Sequence, residues 1–135
     1  MVGLILRLTL AVVIFPHGAQ KVFGWFGGGF KNTLQFFTSS GIPTGFALLA
    51  IAAEFLGSLG LAVGFLTRVA AFGIACVMLV AVATVHWPHG FFLASAPGQA
   101  NGWEYNFALI AMALAVLIGG AGALSVDVLL RPYGE

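Results

Sequence analysis

The stretch Phe15-Pro16-His17-Gly18-Ala19-Gln20-Lys21-Val22-Phe23-Gly24 decides how the chain folds. It places a proline, an imidazole and an ammonium group inside a segment that is otherwise apolar enough to cross a membrane. Ionisable groups at membrane depth cost free energy, so they face the interior of a helix bundle and pair with other groups there. His17 and Lys21 are four residues apart and share one helix face. The stretch therefore predicts a membrane helix whose polar face points at a site inside the protein.

The composition of the whole chain supports a membrane protein. Of 135 residues, 61% are hydrophobic and 7% are charged, whereas a soluble domain averages about 25% charged residues. So few charges cannot cover a soluble surface, but they suffice where the middle of the surface faces lipid. A net charge of +1 without a basic run gives no indication of a nucleic-acid partner. We therefore expect an all-α integral membrane protein whose surroundings are the lipid bilayer.

Four apolar segments predict four membrane spans, at residues 2–23, 44–66, 69–86 and 103–118. Four spans of about 20 residues, the length that a transmembrane helix needs, would use most of the chain. Residues 32–40 lie between the first two spans and predict a short amphipathic helix at the membrane interface. Consecutive spans run antiparallel, so the sequence predicts an antiparallel four-helix bundle that makes up a single transmembrane domain over residues 1–135.

The basic residues predict the orientation of this bundle. With four spans, one side carries Arg7, Arg68 and Arg131, and the other carries Lys21 and Lys31. Because basic residues are enriched on the cytoplasmic side, this distribution predicts that both termini are cytoplasmic. The side opposite the termini is indicated by three tryptophans at span ends, because indole rings prefer the headgroup level. These residues are Trp25, Trp87 and Trp103.

Polar residues sort into two layers when the spans are placed antiparallel. The outer layer contains the candidates for a polar or ligand-binding site, which are His17, Lys21, Glu54, His86, Glu104 and Asn106. Glu54 lies near the middle of its span, about 15 Å from either end, and such a carboxyl is either protonated or paired with a base. We expect Lys21 or His17 to be that base, and Arg7 not to be.

Two interpretations of Glu54 and its partner follow from the residues alone. In the first, a buried ion pair fixes the register of the helices. In the second, the same groups contact a quinone or accept protons, because histidine titrates near neutral pH.

No HExxH or ExxH spacing occurs, so we predict no metal site. No catalytic residue can be named, because no serine lies in a recognisable nucleophile motif.

The inner layer predicts a structural role. Arg7 and Arg68 lie on the same side of the bundle as Asp127. An ion pair of Asp127 with either arginine would fasten the C-terminal tail to the bundle, and exposed pairs of this kind contribute only about 0–1 kcal/mol.

A set of short motifs, in order and nearly end to end, resembles the DoxX family. The motifs are His17-Gly18-x-x-Lys21-x-Phe23-Gly24, Phe36-Phe37-x-x-x-Gly41-Ile42-Pro43, Glu54-x-x-Gly57, Gly64-x-x-Thr67-Arg68, His86, Glu104-Tyr105-Asn106 and Gly120-x-Gly122-x-x-Ser125-x-Asp127. The resemblance implies a small four-helix, multi-pass protein of the bacterial or archaeal cytoplasmic membrane. The family takes its name from the membrane subunit of an archaeal thiosulfate:quinone oxidoreductase, and some relatives are linked to membrane redox systems.

Three functions are consistent with these observations. The favoured hypothesis is a membrane subunit of a redox system with a quinone- or proton-handling site, which would act as an enzyme only within a quinone-linked oxidoreductase. It would carry no cofactor of its own, since no haem, iron–sulfur or flavin motif occurs, so a soluble or membrane redox partner would supply the electron carrier. The alternatives are a small-molecule transporter and a structural assembly factor. Glycine-striped helices are also compatible with a homo-oligomer.

Overall fold

A computed structural model describes residues 1–130, so Arg131 and the end of the predicted domain lie outside the described residues. Within residues 1–130 the regular structure is helical, with no β-strand. A 3-10 turn at Trp25–Gly27 follows the first helix. The helices are α1 (Val2–Phe23), α2 (Phe30–Ser39), α3 (Thr44–Val63), α4 (Thr67–Ala81), α5 (Glu104–Gly119) and α6 (Val126–Leu129).

Three helices are long and apolar enough to cross a membrane. They are Val2–Phe23, Thr44–Val63 and Thr67–His89, the last being α4 continued through a π-helical turn at Val82–His86 and a 3-10 turn at Trp87–His89. Helix α5 is apolar but has 16 residues, so it is about 24 Å long and shorter than the roughly 30 Å hydrocarbon core. Three of the predicted spans thus meet the length expected of a spanning helix, and the fourth is a shorter apolar helix.

The four apolar helices form a closed bundle. Helix α1 packs against α3, α3 against α4, α4 against α5, and α5 returns to α1. The core between them consists of branched aliphatic and small side chains, which include Leu10, Ile14, Leu61, Ile74, Leu109 and Val116. Large apolar residues also cover the outside, where Leu56 is 61% and Phe107 is 59% exposed. An apolar exterior of this extent suits contact with lipid.

Helix α2 lies outside the bundle, over the segment predicted to be interfacial. It packs against α3 and, less extensively, α1, and none of its residues is buried. Glycines lie at both ends: Gly29 has φ +128° and Gly41 has φ +84°. Residues other than glycine rarely adopt such angles, so these two positions set the direction in which the chain enters and leaves the helix.

The two ends of the chain's described part meet at one end of the bundle. A Cβ atom on Gly122 would lie 2.7 Å from the Leu4 nitrogen, which shows how closely the segment after α5 approaches the start of α1. Helix α6 then docks on the turn between α3 and α4, where the Asp127 amide donates to the Gly64 carbonyl at 2.8 Å.

Candidate functional site

The ion pair between Lys21 and Glu54 is the centre of the candidate site. The Lys21 ammonium donates to Glu54 Oε2, and the two side chains are 20% and 5% exposed. Glu54 comes from the middle of α3 and Lys21 from the last turn of α1. Charge-assisted hydrogen bonds of this type are stronger than neutral ones, so each group neutralises the other within an apolar bundle.

Gly18 determines how closely α1 and α3 approach beside this pair. A Cβ atom at Gly18 would lie 2.7 Å from both the Cα and the backbone nitrogen of Phe55. Only a glycine lets the two backbones come this close. Because Gly18 precedes Lys21 by less than one helical turn and Phe55 follows Glu54, this approach brings the ion pair into contact range.

Aromatic rings surround the same junction. The Phe55 ring stacks on Phe15, with centroids 6.1 Å apart, and meets Phe23 edge-on at 5.3 Å. The Trp25 ring meets Phe15 edge-on, with centroids 6.0 Å apart. Edge and offset ring contacts are favourable and geometrically specific, so this cluster fixes the end of α1 on α3.

A long groove opens beside the ion pair. It runs along α3 and α4, has a volume of about 1580 Å³, and exceeds the roughly 300–1,000 Å³ of a compact ligand site. Apolar side chains line most of it, among them Leu49 and Phe72, and both Lys21 and Glu54 contribute to its wall. The charge pair therefore lies in the wall of a mainly apolar concave surface.

Four further polar residues line the same groove, and they were not among the site residues expected from the sequence. They are Gln20 on α1, Asn32 and Thr33 on α2, and Thr84 in the π-helical turn after α4. The Gln20 carbonyl also accepts hydrogen bonds from the Gly24 and Gly29 amides, which turns the chain back toward α3. The amphipathic pattern of residues 32–40 was a signal for α2, but nothing in the sequence indicated that α2 would line the same groove as Glu54.

His17, the other candidate partner of Glu54, lies on the surface. Its side chain is exposed, and within residues 1–130 the structure gives its ring no hydrogen bond. Of the two bases that the sequence offered to Glu54, the structure brings Lys21 to the carboxylate and leaves His17 facing outward.

His86 and Glu104 hold the connection between α4 and α5. His86 Nδ1 lies 2.9 Å from the Asn101 carbonyl oxygen, and this contact requires the proton on Nδ1 because a carbonyl only accepts. Glu104 Oε1 accepts a hydrogen bond from the Leu93 amide at 2.7 Å. The contacts of both side chains therefore lie in the connecting loop.

Asn106 is placed in the core. It is 6% exposed, and its Nδ2 donates to the Met78 sulfur at 3.5 Å. A thioether is a weak acceptor, so this amide is a weakly bonded polar group between α4 and α5.

Arg7 occupies the opposite end of the bundle and is 1% exposed. Its Nη1 donates to the Leu61 and Ala62 carbonyls at 2.6 and 2.8 Å, in the last turn of α3, where the helix dipole favours a positive charge. Nε donates to the Ala121 carbonyl at 3.1 Å and Nη2 to the Leu124 carbonyl at 3.0 Å. Arg7 thus joins α1 to the end of α3 and to residues 121–124.

Asp127 holds the C-terminal tail through hydrogen bonds to backbone amides. Its two carboxylate oxygens accept from the Leu66 and Thr67 amides at 2.8 and 2.9 Å, so it caps the start of α4. Arg68 donates to the Ile118 carbonyl at 3.3 Å. Within residues 1–130, Lys21–Glu54 is the ion pair within 4.0 Å. The ion pair of Asp127 with Arg7 or Arg68 stays a prediction, and the hydrogen bonds described here join these side chains to backbone groups at helix ends.

The charged and imidazole groups do not converge on a metal site. Within the described residues, no three of the His, Cys, Asp and Glu side chains come together in an arrangement that could hold a metal ion.

Apolar helices with an apolar exterior, closed into a bundle around a buried charge pair, define an integral membrane protein of the helical class. The chain belongs to the DoxX family, whose family model matches residues 2–87, more than half of the sequence. The matched region contains both Lys21 and Glu54.

A relative from Bacillus subtilis (strain 168) bears the name "Putative oxidoreductase CatD". It is 28% identical over 124 residues, which cover 92% of this chain and 83% of the relative. A comparison with solved structures finds no match.

Proposed function

We propose that this protein is the membrane subunit of a redox system and that Lys21 and Glu54 receive the head group of a quinone. The observation that carries the proposal is a buried ammonium–carboxylate pair in the wall of a lipid-accessible groove. Such a pair offers a donor and an acceptor to a quinone or quinol. The name of the Bacillus subtilis relative supports a redox role.

The pair can also carry the protons of the reaction. Oxidation of a quinol breaks two O–H bonds and yields the quinone, two electrons and two protons. We assign each proton in turn to the Glu54 carboxylate, which releases it toward water at the outer end of α1. Lys21 donates a hydrogen bond to the carboxylate and orients it. Both electrons pass to a partner protein with a haem, flavin or iron–sulfur centre, since the sequence has no motif for such a centre.

The setting that we propose is the cytoplasmic membrane. In it, α1, α3, α4 and α5 cross the bilayer with both termini in the cytoplasm, and the ion pair lies in the outer half. The quinone reaches the site from the hydrophobic phase, where membrane quinones dissolve.

Co-purification with native lipid tests the proposal. Mass spectrometry of the purified protein should detect a quinone in the parent protein and strongly reduced amounts in Glu54→Gln and Lys21→Met. Lys31→Met is the matched control, because Lys31 is exposed on α2 and does not line the groove. Absence of quinone from the parent protein, or equal loss in the control, would contradict the assignment.

The double variant Lys21→Met with Glu54→Gln separates a functional pair from a structural one. It removes both charges together and avoids leaving one buried charge unpaired. A folded double variant that has lost quinone binding and the linked redox activity supports a functional site. A folded double variant that retains both shows that the pair serves only the architecture.

A further inference from the structure

The groove beside Lys21–Glu54 is much longer than a quinone ring requires. Its lining on α3 extends from Phe46 to Val63, a length of roughly 26 Å at 1.5 Å per residue. From Glu54 to Val63 the same rise gives roughly 14 Å. A head group held at the ion pair would therefore leave a continuous apolar channel toward the α3–α4 turn.

Small residues form the deep part of this channel. Ala50, Ala53, Gly57 and Gly60 follow one another at helical spacing along α3, and all four line the groove. They are less exposed than the large residues beside them: Leu56 is 61% and Phe72 is 59% exposed. Small side chains below and large ones at the edges produce a trough that fits a narrow, linear and apolar group.

The polar side chains of the groove are concentrated away from the α3–α4 turn. Most of the polar lining residues come from α1, α2 and the middle of α3, namely Gln20, Lys21, Asn32, Thr33 and Glu54, while Thr84 follows α4; α2 packs against both α1 and α3. Toward Val63 and Leu66 the lining is apolar. The groove thus has the polarity of an amphipathic molecule with a hydrogen-bonding head and an extended hydrocarbon tail.

We infer that the ligand of this site is a redox lipid with a long isoprenoid-type tail, and that the tail lies in the trough of small residues along α3 and α4. This inference rests on the proposed function and adds the tail subsite to it. The head lies at Lys21–Glu54, and the tail enters sideways from the bilayer, because large exposed apolar residues border the trough. Close packing of the tail against the trough contributes dispersion attraction, which is small for each atom pair and large in sum.

Two quinones with the same ring test the inference. Binding of a long-tailed menaquinone and of menadione, which has the same naphthoquinone head without the tail, is measured by equilibrium partitioning into nanodiscs with quantification by mass spectrometry. The parent protein should bind the tailed quinone at least about tenfold more tightly, equivalent to about 1.4 kcal/mol.

Two substitutions fill the trough without touching the ion pair. Ala70→Leu places a larger side chain over Gly57 and Gly60, since the Ala70 Cβ lies 3.8 and 3.9 Å from where a Cβ atom would stand at these two glycines. Val63→Trp blocks the far end at a position that is 56% exposed, so it leaves the core intact. Both should weaken binding of the tailed quinone about tenfold and leave that of menadione within about twofold.

Val12→Trp is the control, because Val12 is 72% exposed on α1 and does not line the groove. Equal weakening of both quinones, or equal affinity of the parent protein for both, would overturn the tail subsite and leave the proposed function standing. Retention of a phospholipid in the trough while menadione still binds would likewise overturn it. If the parent protein binds neither quinone, the proposed function fails as well.

Discussion

Lys21 and Glu54 neutralise each other, whereas either charge alone would be unpaired in an apolar bundle. Removing one partner of a buried ion pair typically costs about 3–5 kcal/mol, because the other charge is left uncompensated. This cost makes the pair persistent, and it also explains why both interpretations of the pair, structural and functional, begin from the same contact. A ligand that offers a donor and an acceptor can replace part of this contact without leaving either charge unsatisfied.

The sequence limited the partner of Glu54 to two bases, His17 and Lys21, but it did not show which of them makes the contact. A mid-span carboxyl needs a base, and the four-residue spacing put His17 and Lys21 on one helix face. The choice depends on the rotation of α1 about its axis and on side-chain length, and these follow from the packing at Gly18. Likewise, the five carbonyl contacts of Arg7 were not predictable, because backbone acceptors carry no residue-type signal.

Arg7 gives the prediction at the scale of a single residue. Arg7→Lys keeps the charge, but three ammonium donors on one nitrogen cannot reach carbonyls that the five guanidinium donors reach in a fixed plane. We expect a loss of about 1–3 kcal/mol, since buried acceptors lose their donors, measured by thermal unfolding in detergent.

Arg68→Lys provides the comparison for Arg7→Lys. Arg68 is exposed and makes one hydrogen bond, of 3.3 Å, to the Ile118 carbonyl. Its replacement should leave the unfolding temperature nearly unchanged. Equal effects at the two positions would contradict the structural role given to buried Arg7.

At the scale of helices, the contact between α1 and α3 depends on Gly18. Gly18→Ala forces a methyl group to within 2.7 Å of the Phe55 backbone, so the helices must separate and the ion pair must lengthen. Overpacking of this kind typically costs about 1–3 kcal/mol. We expect lower thermal stability and weaker quinone binding in the same variant.

Gly45→Ala controls for the change in helix propensity. Gly45 lies in α3, and a Cβ atom there meets nothing within 4 Å, so alanine should be neutral or stabilising by up to about 1 kcal/mol. If both substitutions are equally well tolerated, the close approach at Gly18 is not what sets the spacing of α1 and α3.

Helix α2 shows the limit of prediction at this scale. The amphipathic pattern indicated its presence, and the structure has it at Phe30–Ser39. Its position over the groove depends on Gly29 and Gly41, whose positive φ angles direct the chain back over α3. Sequence alone identifies these glycines as turns, but it does not give the direction of the turn.

At the scale of the molecule, the helical membrane class was predictable because a surface in contact with lipid needs many hydrophobic and few charged residues. The helices Val2–Phe23 and Thr44–Val63 overlap the predicted first two spans closely. Helix α5 at Glu104–Gly119 likewise overlaps the predicted segment 103–118. The π-helical turn at Val82–His86 was not predictable in the same way, because it carries no periodicity that a hydrophobic pattern would reveal.

Orientation in the membrane is the prediction that belongs to the whole molecule. In a Cys76→Ala background, single cysteines at Ser95→Cys and Leu130→Cys report the two ends of the bundle, and both positions are exposed. A membrane-impermeant thiol reagent applied to intact cells should label the first and not the second. Permeabilised cells should be labelled at both positions. Labelling of Leu130→Cys in intact cells would reverse the topology.

The carbonyl contacts of Arg7 have a consequence for biosynthesis. Arg7 and Leu124 are 117 residues apart, so at about 5–20 residues per second the ribosome needs roughly 6–23 s to deliver the last of these carbonyls. During that interval the first helix carries a guanidinium whose final partners do not yet exist. A chain interrupted before residue 121 offers this guanidinium only the Leu61 and Ala62 carbonyls, so Nε and Nη2 still lack their acceptors in the unfinished protein.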